Sequence, residues 1–389
     1  MEIPPEAVER ARAAGEGIVR RTPLLGSQTL SEICGGSIVL KAESLQRTGA
    51  FKLRGALAKL AALGEDCAAG VVCGSAGNHA QSLAFAARAR GVPCEVFMPR
   101  DAAIAKVEAC ERLGANVRPV DGSIDEAITR AREHAEETGL TFVHPFDDAD
   151  VISGQATLGL EIAEDVPDLA RIVVPVGGGG LASGVATAVK AHRPGVEIVG
   201  VRVEDRSLTI ADGIAVKHPG AITGPLLDRL LDERVAVGED DIANAMVHLV
   251  ERAKLVVEGA GAVGVAALLG GRTSPAPGGT TVVILSGGNV DAGLLAAIAR
   301  RHESHAGRRM VVLTRISDRP GALAKLLARV ADAGANLVEV QHVREGIDLH
   351  VRETAVQLTL ETRGRDHAET VLRSCEAAGY DARVLDARR

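Results

Sequence analysis

Residues 177–181 (GGGGL) follow the apolar run RIVVPV and precede an Ala-rich stretch that predicts a helix. Amides at a helix N-terminus bind anions, because they lack intrahelical acceptors and lie at the positive end of the helix dipole. We therefore expect a phosphate-binding turn here, although a tight turn that simply needs glycine is the structural alternative. The stretch lacks GxxxxGKS or GxxxxGKT, which excludes a P-loop. It also lacks GxGxxG with a following acidic residue, so a dinucleotide has weak support.

A second turn, residues 75–79 (SAGNH), follows GVVCG and opens another predicted helix. Ser75 suits a helix cap, which is the structural interpretation of that residue taken alone. Asn78 carries both a donor and an acceptor at a helix mouth, and this suits a polar ligand group such as a phenolic oxygen or a carboxylate. His79 is ambiguous between ligand contact and hydrogen bonding in the core, and we favour the core.

Lys52 lies in TGAFKLRGA, at the predicted start of a helix of mostly small and apolar residues. A positive charge is disfavoured at a helix N-terminus, so this position favours a neutral amine, which is a nucleophile for carbonyl groups. A solvated surface lysine is the alternative. A third turn, residues 286–289 (SGGN), follows TVVIL and would place the Ser286 hydroxyl facing a ligand held by the other turns, or it is an ordinary turn.

These turns are positioned by alternating strands and helices that indicate βαβ units. In one set the predicted strands are 70–74, 94–99, 116–120 and 141–145, and the predicted helices are 79–90, 103–113 and 123–137. In a second set the strands are 171–176, 197–203 and 281–285, and the helices are 181–192 and 240–253. The continuous apolar runs are typical of parallel strands buried on both faces. Ligands of such sheets bind beyond the carboxyl ends of the strands, which is where the three turns lie.

The C-terminal residues predict a different architecture. The charged stretch 300–309 (RRHESHAGRR) lacks apolar periodicity and is interpreted as a linker. The elements after it are a strand 310–315, a helix 321–333, strands 336–342 and 354–360, a helix 365–378 and a strand 382–385. This βαββαβ order is the split βαβ, ferredoxin-like arrangement.

Composition narrows the class of protein. A chain of 389 residues with 46% apolar and 24% charged residues predicts two or three folded domains. Six aromatic residues and a net charge of −7 without a basic stripe make nucleic acid an improbable partner. Apolar runs fall short of the ~20 residues that a membrane span needs, and no signal-peptide core is present. The six cysteines have no metal-binding spacing and indicate reduced thiols, so we expect a cytoplasmic enzyme.

Taken in chain order, TGAFKLRGA, SAGNHAQ, PVGGGGLASG and LSGGN resemble the pyridoxal-phosphate enzymes of fold type II, the tryptophan synthase β-like group, and specifically the threonine ammonia-lyases (threonine dehydratases). The tail, with DRPGAL at its first turn, resembles an amino-acid-sensing ACT domain. The resemblance implies an α/β fold with two parallel-sheet open subdomains and a C-terminal βαββαβ ACT domain. It places the catalytic domain at 1–305, with a small subdomain at about 48–147 and a large one at about 1–47 and 148–305, and the ACT domain at 309–389.

The resemblance also implies roles for individual residues. Lys52 would bind pyridoxal 5'-phosphate covalently and move protons, with Ser75 as a second catalytic residue. Cofactor contacts would come from Phe51, Lys52, Asn78, Gly177, Gly178, Gly179, Gly180, Leu181 and Ser286. The substrate carboxylate would be bound by Ser75, Ala76, Gly77, Asn78 and His79. An effector would bind at Asp318, Pro320, Gly321, Ala322 and Leu323.

The implied activity is deamination of L-threonine to 2-oxobutanoate and ammonia, with L-serine giving pyruvate. A neutral Ser286 hydroxyl at the ring nitrogen makes the cofactor a weaker electron sink, which favours elimination over transamination. Alternatives are a serine dehydratase, an amino-acid racemase or a catalytically silent sensor. The implied partners are an amino-acid substrate, an amino-acid effector and further copies of the chain in a dimer or tetramer. Ala50 replaces a common serine, and segment 203–213 is shorter than in relatives, so no metal site is assigned.

Overall fold

The computed structural model describes residues 2–205, 207, 209–216, 218–345 and 348–385. The chain divides into two compact units, Met1–Val290 and Asp291–Arg389. This division falls before the boundary expected at 305–309. The catalytic and ACT assignments of the two units stay predictions.

The first unit combines two sheets with surrounding helices. Its strands are β1 Leu24–Gly26, β2 Ser37–Ala42, β3 Val71–Gly74, β4 Cys94–Pro99, β5 Asn116–Val120, β6 Thr141–Phe142, β7 Leu169–Pro175, β8 Glu197–Val203, β9 Glu233–Val237 and β10 Thr280–Leu285. Its helices are α1 Pro5–Gly15, α2 Gln28–Cys34, α3 Lys52–Leu63, α4 Asn78–Arg90, α5 Ile104–Arg112, α6 Ile124–Thr138, α7 Ala149–Asp165, α8 Gly180–His192, α9 Thr223–Leu230, α10 Glu239–His248 and α11 Gly259–Leu269.

The smaller sheet has the order β5-β4-β3-β6 with every pair parallel, as predicted for a βαβ series. The predicted strand 141–145 is wrong at its end, because β6 covers only Thr141–Phe142. The Val143 amide still donates to Val72 O at 2.9 Å. Proline has no N–H to continue a ladder, and the Pro145 carbonyl accepts a hydrogen bond from Lys52 instead.

The larger sheet has the order β1-β2-β10-β7-β8-β9. The pairs β2–β10, β10–β7, β7–β8 and β8–β9 are parallel, and the pair β1–β2 is antiparallel. The predictions for β7, β8 and β10 are confirmed, whereas β1, β2 and β9 were not foreseen. The predicted helix 240–253 is present as α10 followed by one π-helical turn, Leu249–Ala253.

A buried ion network fixes α3 against the larger sheet. The Arg54 guanidinium, 2% exposed, donates to Glu43 Oε1 and Oε2 at 2.8 Å each, and to Glu161 Oε1 at 2.7 Å. The Lys41 ammonium donates to Glu161 Oε2 at 2.6 Å. Because Arg54 lies in α3, Lys41 in β2 and Glu161 in α7, the network joins three elements. Arg54 is two residues after Lys52, so the network fixes the part of α3 that carries Lys52.

The second unit is a four-stranded antiparallel sheet in the order β12-β13-β11-β14. Its elements are α12 Ala292–His305, β11 Arg309–Ser317, α13 Ala322–Asp332, β12 Asn336–Val343, β13 Glu353–Glu361, α14 Arg365–Ala377 and β14 Arg383–Val384. The βαββαβ order from β11 to β14 confirms the ferredoxin-like prediction. A core that includes Val312, Leu326 and Leu358 joins the sheet to its helices.

The linker predicted over 300–309 is wrong, because α12 continues to His305 and β11 begins at Arg309. Asp291 caps the start of α12 by accepting from the amides of Gly293 and Leu294. This cap supports a helix that apolar periodicity does not reveal.

Candidate active site

Lys52 is the first residue of α3, and its amine lies inside the first unit. The Nζ atom donates to Pro145 O at 2.6 Å and lies 5.2 Å from the centre of the Phe51 ring. Burial lowers the pKa of Lys52 to about 8, and the nearby Glu258 carboxyl offsets part of that effect. A considerable fraction of the amine is therefore neutral near pH 8, the form that attacks a carbonyl carbon.

The SAGNH turn connects β3 to α4. The Ser75 hydroxyl accepts from the Gly77 amide at 3.2 Å, and α4 begins at Asn78 with Gly77 as its N-cap, so Ser75 does not cap the helix. The His79 ring bonds to Val143 O at 3.0 Å and is buried. Burial, with a smaller contribution from the charge of Lys52, lowers the pKa of His79 to about 3, so its ring is neutral. His79 thus has the hydrogen-bonded core position that we favoured.

The SGGN turn after β10 lies directly against the turn that carries Lys52. Phe51 N donates to Ser286 O at 3.0 Å, and Gly288 N donates to Gly49 O at 2.8 Å. Ser286 is buried, with 3% of its surface exposed. Two motifs more than two hundred residues apart in sequence are therefore joined by main-chain hydrogen bonds.

The GGGG turn links β7 to α8, which begins at Gly180. A Cβ atom on Gly178 would lie 2.5 Å from carbons of the Phe146 ring, and Gly179 has a φ of +97°. The Gly178 carbonyl accepts from Thr223 Oγ1 at 2.6 Å. The turn is thus closely packed on one side and opens a 13-residue helix whose first amides lack intrahelical acceptors.

Two parts of the site were missed by sequence reasoning. Segment 143–147 (VHPFD) supplies the Pro145 carbonyl at Lys52 and the Phe146 ring at Gly178. The Asp147 carboxylate accepts from the amides of Ala221, Ile222 and Thr223, at 2.9, 2.9 and 3.0 Å. This segment follows β6 at the carboxyl edge of the smaller sheet, a position that the same topological argument identifies as ligand-binding.

Glu258 is the second missed residue. It precedes α11, is 7% exposed, and accepts from Asn78 Nδ2 at 2.7 Å. Burial raises its pKa to about 7, and the Asp212 charge adds to that effect. The available signal was a lone carboxylate directly before the apolar run 259–269.

The acidic residues of segment 203–213 face solvent. Glu204 Oε1 lies 3.3 Å from Arg272 Nη2, and Asp212 Oδ2 lies 3.1 Å from Lys106 Nζ. Both carboxylates are about half exposed or more, at 48% and 67%. Arg206 and Leu208 of this segment lie outside the described residues.

The residues proposed for an effector occupy the turn between β11 and α13 in the second unit. A carboxylate oxygen of Asp318 lies 3.2 Å from a guanidinium nitrogen of Arg344, the residue after β12. Gly321, with a φ of +84°, is the N-cap residue of α13. Ala322 and Leu323 begin that 11-residue helix, and Pro320 precedes the cap.

The first unit suits an aldehyde cofactor that carries a phosphate. A partly neutral amine, a glycine turn at a helix N-terminus, and an amide at a second helix mouth are assembled in one unit. Residues 16–287 match the family described as "Pyridoxal-phosphate dependent enzyme". This chain belongs to that family. No helix among the described residues of this pyridoxal-phosphate enzyme is long and apolar enough to cross a membrane.

Proteins named for their activities are similar to most of this pyridoxal-phosphate enzyme. A Thermotoga maritima protein named L-threonine ammonia-lyase is 44% identical, covering 98% of this chain and 99% of that protein. The solved structure of a threonine deaminase from Solanum lycopersicum, the processed form of isoform 2, is 32% identical, with a TM-score of 0.71, and covers 76% of this chain and 86% of its own. The structure of maize serine racemase is 36% identical, with a TM-score of 0.72, and the match covers 78% of this chain and 98% of the racemase chain.

Proposed function

We propose that this chain deaminates L-threonine to 2-oxobutanoate and ammonia, and L-serine to pyruvate and ammonia. The similarity to L-threonine ammonia-lyase over nearly the whole length of both chains supports this substrate class. The observation that carries the chemistry is Lys52, whose enclosed amine has a pKa of about 8 and lies beside the glycine-rich turns of a pyridoxal-phosphate enzyme.

The cofactor supplies, when bound, an aldehyde that links to amines and a ring that accepts electron density from the substrate Cα. Lys52 would hold the cofactor through its amine, and the same amine would remove the proton from the substrate Cα. Residues 75–79 bind the substrate carboxylate through main-chain amides and the Ser75 hydroxyl. The glycine turn 177–181 would hold the phosphate, and Ser286 would offer a neutral hydroxyl to the ring nitrogen.

The proposed reaction balances without an external oxidant or reductant. Breaking the Cα–H bond leaves an electron pair that expels the β-hydroxyl, which departs as water once protonated. The resulting enamine takes up water and releases ammonia, so threonine gives 2-oxobutanoate plus ammonia. Water is lost and regained, and only ammonia is removed overall.

Purified protein incubated separately with L-threonine and L-serine tests this function. We expect 2-oxo acid and ammonia in equal amounts, no activity in Lys52→Ala, and a pyridoxyl adduct on Lys52 after borohydride reduction. A racemase would instead form the D-enantiomer without 2-oxo acid, and a silent sensor would form neither. An adduct at another residue, or none, would contradict the role given to Lys52.

The second unit is proposed to bind an amino-acid effector at the β11–α13 turn, as an ACT domain. The support is its ferredoxin-like order and the glycine N-cap of α13. Asp318→Asn in the full chain should weaken the response of the rate to L-isoleucine or L-valine. The matched control is Asp381→Asn, which removes a comparable exposed carboxylate 3.0 Å from Arg383. A response that is absent from the wild type, or equal in both variants, would overturn this regulation.

The quaternary structure and location of the chain are proposals as well. We propose a cytoplasmic homo-oligomer, a dimer or a tetramer. Light scattering coupled to size exclusion distinguishes these states, and a monomer at micromolar concentration would contradict the proposal.

A further inference from the structure

Asn289, the last residue of the SGGN turn, joins that turn to the segment before Lys52 and to the first residue of α4. Its Nδ2 atom donates to Thr48 O at 2.7 Å and to Asn78 Oδ1 at 2.8 Å. A Cβ atom on Gly49, which has a φ of +73°, would lie 2.3 Å from Asn289 Oδ1. Asn289 is therefore packed tightly between the turn before α3 and the first residue of α4.

The direction of these hydrogen bonds is fixed at one end by the main chain. The carbonyl of Thr48 can only accept, so the nitrogen of the Asn289 amide faces it. The second hydrogen on that nitrogen goes to Asn78 Oδ1, and this orients the Asn78 amide in turn. The Asn78 nitrogen then donates one hydrogen to Glu258 Oε1 at 2.7 Å and keeps a second for another acceptor.

We propose that Asn289 and Glu258 are positioning residues that hold the Asn78 amide with its nitrogen, not its oxygen, towards the anionic ring oxygen of the cofactor. This inference rests on the proposed function and takes that oxygen as the cofactor group that Asn78 contacts, which is an expectation from the family resemblance. A reversed amide would turn Oδ1 towards the anion, which would replace a charge-assisted hydrogen bond with repulsion.

Glu258 is well placed to be the second fixed point. Its main-chain amide donates to Gly287 O at 3.0 Å, and a Cβ atom on Gly287 would lie 2.2 Å from its Oε1. The carboxyl therefore lies against the same turn that carries Asn289. An oxygen of the Glu258 side-chain carboxyl can accept a hydrogen bond from Asn78 whether the carboxyl is protonated or not. The orientation of Asn78 therefore does not depend on the charge of Glu258.

A double-mutant cycle with Asn289→Ala and Asn78→Ala tests the proposal in the full chain. The measured quantity is the apparent dissociation constant of pyridoxal phosphate from the apoenzyme. Each single variant should raise it about tenfold or more, the effect of losing one charged hydrogen bond. If Asn289 acts through Asn78, the double variant should be no worse than Asn78→Ala alone. Independent, multiplying losses would overturn the proposal.

Two substitutions of Glu258 give a second test. Glu258→Gln keeps an acceptor oxygen and should leave the dissociation constant within about threefold, whereas Glu258→Leu should raise it as much as Asn289→Ala does. Equal losses in the two variants would refute the acceptor role. Asn336→Ala, which removes an exposed amide bonded to Glu361 at 2.9 Å, is the matched control and should change nothing.

Borohydride reduction and the double-mutant cycle together distinguish a failure of the positioning role from a failure of the proposed function. Borohydride reduction of the wild type decides whether Lys52 carries the cofactor. A missing adduct overturns the function and the positioning role together. An adduct on Lys52 with independent effects in the cycle overturns only the role of Asn289. Circular dichroism of each apoenzyme variant verifies that its fold is retained, and the Glu258 pair decides the matter if Asn289→Ala does not fold.

Discussion

Arg54→Met should strongly destabilise the first unit, although Arg54 contacts no proposed ligand. The guanidinium is 2% exposed and donates to two carboxylates, Glu43 and Glu161. Burial drives the pKa of Glu43 upward, but the charge and hydrogen bonds of Arg54 outweigh it and, with help from Thr22, hold that pKa below its usual value of 4.5. The variant would leave Glu43 buried without its main partner.

The expected loss follows from comparing buried and exposed ion pairs. Removing one partner of a buried pair costs about 3–5 kcal/mol, whereas an exposed pair contributes about 0–1 kcal/mol. At about 2–4 °C per kcal/mol for large domains, Arg54→Met should lower Tm by roughly 6–20 °C. Arg21→Met is the matched control, because Arg21 also contacts two carboxylates, Glu164 and Asp165, but is 45% exposed. It should lower Tm by less than about 4 °C.

Thermal unfolding of the two variants by circular dichroism at pH 5 and pH 8 provides the assay. An unpaired buried carboxyl has a raised pKa and takes up a proton in the folded state, so its destabilising effect is smaller at low pH and grows as pH rises. The deficit of Arg54→Met should therefore be larger at pH 8 than at pH 5. A Tm loss no greater than that of Arg21→Met, or one that is independent of pH, would refute the reasoning.

Three further predictions concern the site. Amine-selective labelling of Lys52 in the apoenzyme should reach half its maximal rate near pH 8, because the neutral amine reacts and burial lowers the pKa from 10.5; a midpoint near 10.5 in peptide mapping would contradict this. Gly178→Ala should cost about 1–3 kcal/mol of unfolding free energy, because its Cβ would lie 2.5 Å from the Phe146 ring. Gly195→Ala, with nothing within 4 Å, should be neutral in the same denaturant titration. Burial raises the pKa of Glu258 in the folded protein from 4.5 to about 7, so the unfolding free energy of the wild type should fall by up to about 3 kcal/mol as pH rises through that range. The unfolding free energy of Glu258→Gln should not show this fall. Parallel curves of unfolding free energy against pH for the two proteins would exclude the shift.

Local patterns in the sequence were sufficient to predict most of the scaffold. The apolar runs at Cys94–Pro99, Asn116–Val120 and Glu197–Val203 predict those strands residue for residue. The runs of β4 and β8 reflect strands that are mostly buried, a property that each run carries by itself, whereas β5 lies at the edge of its sheet and is mostly exposed. The three glycine-rich turns follow the ends of β3, β7 and β10. Because those strands were predictable, the region of the site was predictable as well. The short strand β1 and the helix over 300–305 escaped because pairing and capping, rather than apolar periodicity, support them.

Local sequence was enough to identify the residues that could do chemistry: a lysine at a helix start, amides at helix mouths, and glycine turns after strands. How those residues are held depends on the folded unit. Glu258 and Asn78 are 180 residues apart, and Asn289 and Asn78 are 211 apart, yet they share one chain of hydrogen bonds. No local period encodes such partners, because a hydrogen bond across a folded unit depends on where distant strands end, and a lone polar residue looks the same in sequence whether it is solvated or buried.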